Sequence, residues 1–288
     1  MQKVAWYSII FVRMMQKEVF HISSESDFVD NDIKIFNHQF RHNRVYRSFC
    51  DLLYIHPSDV HTLEEIPFLP IAFFKSKKVV SSPEDIQEIF TSSGTTGSAV
   101  SKHFITDTSW YTHSYRKAFA HFYGNIEEYV VLALLPNYLE RKGSSLIYMV
   151  DDLIQQSKQE ESGFYLHNVA ELAEKLSNLD KQGKKVLLIG VSFALLDLIE
   201  RYQFTLQNTI VMETGGMKGR RKEMIRQELH QTLKAGFGVE QIHSEYGMTE
   251  LLSQAYSSGN GVFNCPPWMR VLTRDTEGPL NCLSKGKS

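Results

Sequence analysis

Three apolar runs constrain this chain more than anything else in it. They are "YVVLALLP" at 129–136, "KKVLLIGVS" at 184–192 and "NTIVMETGG" at 208–216. Uninterrupted apolar runs of this length suit strands covered on both faces, as in parallel sheets. Helical spacing occupies about 109–123, 144–157, 168–181, 193–202 and 218–234, the last with a stop signal at Lys234 and Gly236. Strands and helices alternate, so the expected fold is α/β with a mainly parallel sheet flanked by helices. Upstream, "DIKIFNHQFRHNRVYRSFCDLL" repeats apolar residues at helical intervals from Ile35 to Leu52. Ligands of open parallel sheets gather beyond the carboxyl ends of the strands, so glycine-rich turns there are the places to seek a site.

With 288 residues, 42% of them hydrophobic, the chain can bury a large core as one large domain or two smaller ones. A net charge of −2 supplies no positive field for nucleic acid. Cys50, Cys265 and Cys282 are an odd, sparse set, which argues against a disulfide framework and fits a reducing cytoplasm. The opening "MQKVAWYSIIFVRMMQKEVF" is apolar from Val4 to Val12, apart from Ser8. That run falls short of the about 20 residues a membrane span requires. No small-residue cleavage site follows, as a secretory leader would need. A buried strand or helix, or a native start at Met14 or Met15, is the plainer reading. No internal repeat or low-complexity tract is present.

Two motifs carry chemistry. In "TSSGTTG" (91–97), Gly94 and Gly97 permit positive φ and close approach of backbone to a ligand. Ser92, Ser93, Thr95 and Thr96 surround them with hydroxyl donors, and Lys102 follows. A concave array of N–H and O–H groups suits phosphate oxygens. The spacing does not fit the G-x-x-x-x-G-K-[ST] phosphate loop. An exposed Ser/Thr/Gly turn is the plainer alternative. About 150 residues downstream stands "IHSEYGMTELLSQAYSS" (242–258). The ring of Tyr246, beside Gly247, can lie against a purine. The Thr249 hydroxyl can reach a phosphate, and Glu250 can ligate Mg²⁺. A capped helix N-terminus is the plainer reading here.

Together these motifs resemble the AMP-forming adenylate superfamily of acyl- and aryl-CoA ligases, luciferases and peptide-synthetase adenylation domains. "LLPNYLERKGSSLIYMV", "ETGGMKGRRKE" and the displaced lysine are similar to one branch, the acyl-protein synthetases. That branch includes the synthetase subunit of the bacterial bioluminescence fatty-acid reductase complex. The resemblance runs from about Phe36 to Arg274. It implies an adenylate-forming domain over 31–276, after a lead-in over 1–30 and before a tail over 277–288. It also implies ATP and Mg²⁺ as cofactors and a fatty or related carboxylic acid as substrate. The acceptor would be a protein thiol, on a reductase subunit for instance, with no nucleic-acid partner.

By the same resemblance, Ser92 through Gly97 form the phosphate loop and Lys102 adds positive charge. Gly215 and Gly216 form the turn past the adenine and acyl sites, with an ordinary strand-to-helix turn as alternative. Tyr246 and Gly247 hold the adenine, Thr249 the α-phosphate and Glu250 the metal. Tyr138 and Ser144 line the acyl pocket, with a helix N-cap as the alternative for Ser144. "KGRRKE" (218–223) reads as a solvated helix face, His243 as a structural histidine, and Trp110, Tyr111 and Tyr115 as core.

Two departures from the superfamily pattern stand out. Lys102 comes late, without the usual Pro-Lys pair. After "PPWMRVLTRDTEGPLN", which resembles the strand before the ribose-binding aspartate motif, the small C-terminal domain has no counterpart, so truncation is expected. Cys282 matches no acyl-accepting position. Apolar surface near Trp268 and Met269 is then expected to lie open. Two other functions fit the same residues: an AMP-forming acyl- or aryl-CoA ligase, and an inactive nucleotide- or partner-binding domain.

Overall fold

A computed structural model describes residues 18–81, 85–92, 99–135, 143–165, 168–215, 221–273 and 275. The chain divides into two compact units. The first comprises residues through Tyr111 together with those from Cys265 onward, and the second runs from Thr112 to Asn264.

In the first unit, α1 (Glu25–His42) opens with a capping box. Ser24 Oγ accepts from the Asp27 amide at 3.1 Å, and the Asp27 carboxylate accepts from the Ser24 amide at 3.0 Å. These bonds satisfy two of the amides that the first helical turn leaves unpaired. The apolar spacing from Ile35 to Leu52 is split between two helices. Asn43 adopts an extended backbone, donates to the Gln39 carbonyl at 2.8 Å and caps α2 (Arg44–Leu52) by accepting from the Tyr46 amide at 3.1 Å. Phe28, Phe36, Phe40, Tyr46, Cys50 and Leu63 form the core of this unit. Cys50 is a free thiol, and burial raises it to about 11, which keeps it protonated and inert.

Arg270 fixes the residues after Cys265 to α1. Its guanidinium donates to both Glu25 oxygens at 2.7 and 2.6 Å and lies 4.2 Å from the Phe28 ring centre. Trp268 meets Phe20 edge-on at 5.1 Å, and both Trp268 and Met269 are partly buried. The expected open apolar surface at those two residues is therefore not found. The exposed large apolar side chains of this unit include Leu52, Tyr54 and Val271 instead. The strand expected in "PPWMRVLTR" is also absent from its described residues, which follow turns and irregular backbone. After α3 (Phe73–Ser76), β1 (Glu88–Thr91) pairs antiparallel with β2 (Lys102–Ile105).

The division between units falls within α4 (Ser109–Tyr123). On this helix Tyr111 and Tyr115 are buried, as expected, while Trp110 is only partly so. The second unit holds a six-stranded sheet in the order β4-β3-β5-β6-β7-β8. Its strands are β3 (Val130–Leu134), β4 (Gly163–Phe164), β5 (Val186–Val191), β6 (Thr209–Thr214), β7 (His243–Tyr246) and β8 (Ala255–Ser257). All pairings are parallel except that of β7 with β8. Every residue of β3 and β5 is buried, as their uninterrupted apolar runs require. Helices α5 (Ser145–Ser157), α6 (Val169–Lys181), α7 (Ser192–Arg201) and α8 (Arg226–Phe237) complete the unit.

Helix α8 departs from the sequence reading at both ends. It starts at Arg226, not near 218, and the described part of "KGRRKE" is not helical. There Arg221 is clamped by Asp197 and Glu200 of α7, which overturns the solvated-face reading for that residue. The stop is also later. Gly236 lies inside the helix, where α7 packs so closely that a Cβ would meet Ile199 at 2.5 Å. Gly238, at φ +65°, supplies the left-handed cap. Among the described residues, no helix is long and apolar enough to cross a membrane.

Candidate active site

Strands β6 and β7 end side by side at the carboxyl edge of the sheet, with Thr214 in register with Glu245. The Gly215 turn, at φ +70°, follows the first strand. Tyr246 ends the second, and its turn continues to Glu250. This juxtaposition needs the β6 and β7 pairing alone, and both turns belong to the second unit.

Buried polar groups brace both turns. Ser192, the first residue of α7, donates its hydroxyl to the Gly215 carbonyl at 2.9 Å or to Glu213 at 3.1 Å. Glu213 also accepts from Arg226 Nη1 at 2.8 Å, and His230 Nε2 lies 3.5 Å away. Ser244, across the strand pair, accepts from Arg226 at 3.0 Å. Burial acts to raise the Glu213 carboxyl, but hydrogen bonds from His230 and Ser244 and the charge of Arg226 hold it below the ordinary carboxylate value.

Glu245 behaves oppositely. Burial pushes its carboxyl up to about 7, and the nearby Glu213 carboxylate adds to the rise, against the Thr214 hydrogen bond. That bond runs from Thr214 Oγ1 to Glu245 Oε2 at 2.5 Å. Glu245 also crowds the second turn, since a Cβ on Gly247 would stand 2.7 Å from its Oε1. A side chain at 247 would therefore displace this carboxyl.

Of the residues expected to touch ligand, Gly215, Tyr246, Gly247, Thr249 and Glu250 all lie in these two adjoining turns. Tyr246 is 42% exposed, so its ring is open to a partner. Thr249 and Glu250 sit in a turn and open no helix, which removes the capping alternative. Ser144 accepts from the Ile147 amide at 3.3 Å and caps α5. His243 is partly buried at the amino end of β7, with Nδ1 3.2 Å from the Tyr123 hydroxyl. That agrees with its structural reading.

In the first unit, Ser92 Oγ accepts from the Ser101 amide at 2.9 Å, which closes the base of the loop that β1 and β2 carry. Lys102 opens β2 opposite Thr91, with an exposed side chain. Ser93, Gly94, Thr95, Thr96, Gly97, Tyr138, Gly216 and Cys282 lie outside the described residues. Among the described residues, no group of three or more His, Cys, Asp or Glu side chains is arranged to hold a metal ion. Sequence reasoning missed Ser192, Glu213, Arg226, His230 and Glu245. Ser192, Glu213 and Glu245 stood inside the quoted segments, and their position in or at the end of buried strands was the available signal.

Residues 13–110 match the family described as acyl-protein synthetase, LuxE. Over 74 residues the chain is 40% identical to the long-chain-fatty-acid–luciferin-component ligase of Aliivibrio fischeri. That alignment covers 25% of this chain and 18% of the relative. The fold matches 2-hydroxyisobutyryl-CoA ligase in an open conformation with 2-HIB-AMP and CoA, at TM-score 0.66 and 12% identity. The match covers 91% of this chain and 59% of that one. A postadenylation state of the same ligase, with 2-HIB-AMP, matches at 0.66 and 11% identity, over 91% and 57%. The chain thus spans less than two thirds of these ligases. The acyl-protein synthetase match includes Ser92 through Lys102, and the adjoining turns at Gly215 and Tyr246 lie beyond it. For those turns the likeness is one of fold.

Proposed function

We propose that this chain activates a carboxylic acid with ATP. A carboxylate oxygen attacks the α-phosphorus, the bond to the bridging oxygen breaks, and pyrophosphate leaves an acyl adenylate. A thiol then attacks the acyl carbon and AMP departs. The acid is a long-chain fatty or related acid, and the thiol belongs to a protein such as a reductase subunit in a reducing cytoplasm. The first step requires no general base, because a carboxylate is already ionised at neutral pH. It requires positioning and neutralisation of charge.

One observation carries this reading: the Gly215 turn and the Tyr246–Glu250 turn adjoin at the carboxyl ends of parallel β6 and β7. That is where sheets of this kind bind ligands. The exposed Tyr246 ring offers a face for adenine, and Thr249 a hydroxyl for the α-phosphate. The Glu250 carboxylate suits magnesium as one oxygen donor. Magnesium commonly takes one or two carboxylates and completes its shell with phosphates and water, so a site without three clustered protein ligands fits it. When bound, the metal neutralises phosphate charge. In the first unit, Ser92 to Gly97 and Lys102 would supply the phosphate loop, and Tyr138, Ser144 and Gly216 would contribute to the acid and adenine sites.

The test is ATP–pyrophosphate exchange on this chain with short, long and aromatic acids, followed by transfer to protein thiols or coenzyme A. Exchange that depends on a long-chain acid, with transfer to a protein thiol, supports the reading. Transfer to coenzyme A alone favours the CoA-ligase alternative. MgATP binding without exchange favours the binding-only alternative.

A further inference from the structure

At the opposite edge of the same sheet, the second unit has a cavity of about 320 Å³. Its place follows from the strand order. Tyr129 immediately precedes β3, Ile210 is the second residue of β6, and His243 is the first residue of β7. All three line the cavity at the amino ends of strands, whereas the turns proposed to bind nucleotide lie at the carboxyl ends.

The lining is aromatic. Phe122, Tyr123, Tyr129 and Tyr256 contribute rings, with Tyr256 5.4 Å from both Phe122 and Tyr123 and edge-on to the latter. Such walls favour a planar ring in offset or edge contact. The Tyr129 hydroxyl donates to the Tyr123 carbonyl at 3.0 Å, which holds part of the wall in place. The polar content is small and uncharged. Tyr123 and His243 share one hydrogen bond at 3.2 Å. In either tautomer this pair keeps one further donor and one further acceptor for a third group. Burial lowers the His243 pKa, so the imidazole is neutral at physiological pH. Among the described residues, no lysine, arginine or carboxylate lines the space. An anion would find no compensating charge there, and a purely apolar ligand would leave the histidine–tyrosine pair idle.

We propose that this cavity is a second ligand site, for an uncharged single-ring aromatic molecule bearing a hydroxyl or comparable hydrogen-bonding group. The proposal is independent of the adenylation reading. Ser258 and Asn264, both exposed, mark the mouth.

The test is calorimetric titration of the full chain with p-cresol, its apolar counterpart toluene, and the anion benzoate. The expected order is p-cresol first, with toluene weaker by about tenfold, the value of one hydrogen bond, and benzoate weaker by at least as much because its charge goes unpaired. His243→Phe is expected to abolish the preference for p-cresol over toluene while toluene still binds. Because that partly buried change can disturb folding, Ser258→Trp at the exposed mouth is the second variant. It is expected to weaken p-cresol by about tenfold or more with an unchanged Tm. Three results would each overturn the proposal: no saturable p-cresol binding, benzoate binding as tightly as p-cresol, or unaltered p-cresol affinity in both variants.

Discussion

The hydroxyl of Thr214, the last residue of β6, donates to the carboxyl of Glu245, the last but one of β7, at 2.5 Å. The bond ties the Gly215 turn to the Tyr246 turn through two buried residues.

Glu245 should leave a signature in stability against pH. Its folded pKa is raised to about 7, so between about 4.5 and 7 the native state holds a proton that the unfolded chain has released. Its contribution therefore weakens as pH rises through that window and is constant above it. Urea unfolding from pH 4.5 to 8 should show wild type losing stability relative to Glu245→Gln, by a few kcal/mol at most for a shift of this size. A difference that is flat with pH would contradict the buried, protonated carboxyl.

Removing the Ser192 hydroxyl tests the bracing of the first turn. Ser192→Ala leaves the Gly215 carbonyl and Glu213 short of a donor. The expected cost is about 1–2 kcal/mol, read from the urea midpoint. MgATP affinity should fall as well, because the turn is then held less firmly.

Arg226 is the charged partner of a carboxylate sealed in the sheet. Arg226→Leu should leave Glu213 with only His230 and neutral donors, at a cost of about 2–3 kcal/mol, the range for a hydrogen bond to a charged group. The loss should shrink at acid pH, where protonation relieves the unpaired charge. Unfolding at pH 5 and pH 8 decides this.

Gly236 and Gly238 differ in why they are glycine. Gly236→Ala would press a Cβ into Ile199 and force α7 and α8 apart, which overpacking commonly makes worth about 1–3 kcal/mol. Gly238→Ala meets both a left-handed backbone and the Phe204 carbonyl at 2.6 Å. Both should lower Tm, whereas Gly124→Ala, with open space around it, should show backbone strain alone and the smallest loss.

For the proposed chemistry, Glu250→Gln is the sharpest variant. It keeps the size of the side chain and removes the charge that would hold magnesium. Acid-dependent exchange should drop about 100-fold with no change in Tm. Full exchange in the variant would remove Glu250 from the metal site.

The parallel strands were legible because burial on both faces leaves a strand no polar positions, so β3 and β5 stand out as unbroken apolar text. The Gly215 and Tyr246 turns were legible for a related reason: glycines and hydroxyls placed just after such strands have little packing role. The split between α1 and α2 was not legible, because helical spacing continues across Asn43. The asparagine ends one helix and caps the next only when each has somewhere to pack.

What the sequence determined by itself is therefore the alternation of elements, the parallel sheet and the location of the Gly215 and Tyr246 turns. The tertiary structure decided which glycine ends α8, because the approach of Ile199 is a property of two packed helices. It also decided the roles of Glu213 and Glu245. In the sequence each is one acidic residue beside a motif. In the fold both are withdrawn from water, and their different partners set them apart. Arg226, His230 and Ser244 keep Glu213 ionised, whereas the neutral Thr214 hydroxyl leaves Glu245 to the cost of desolvation.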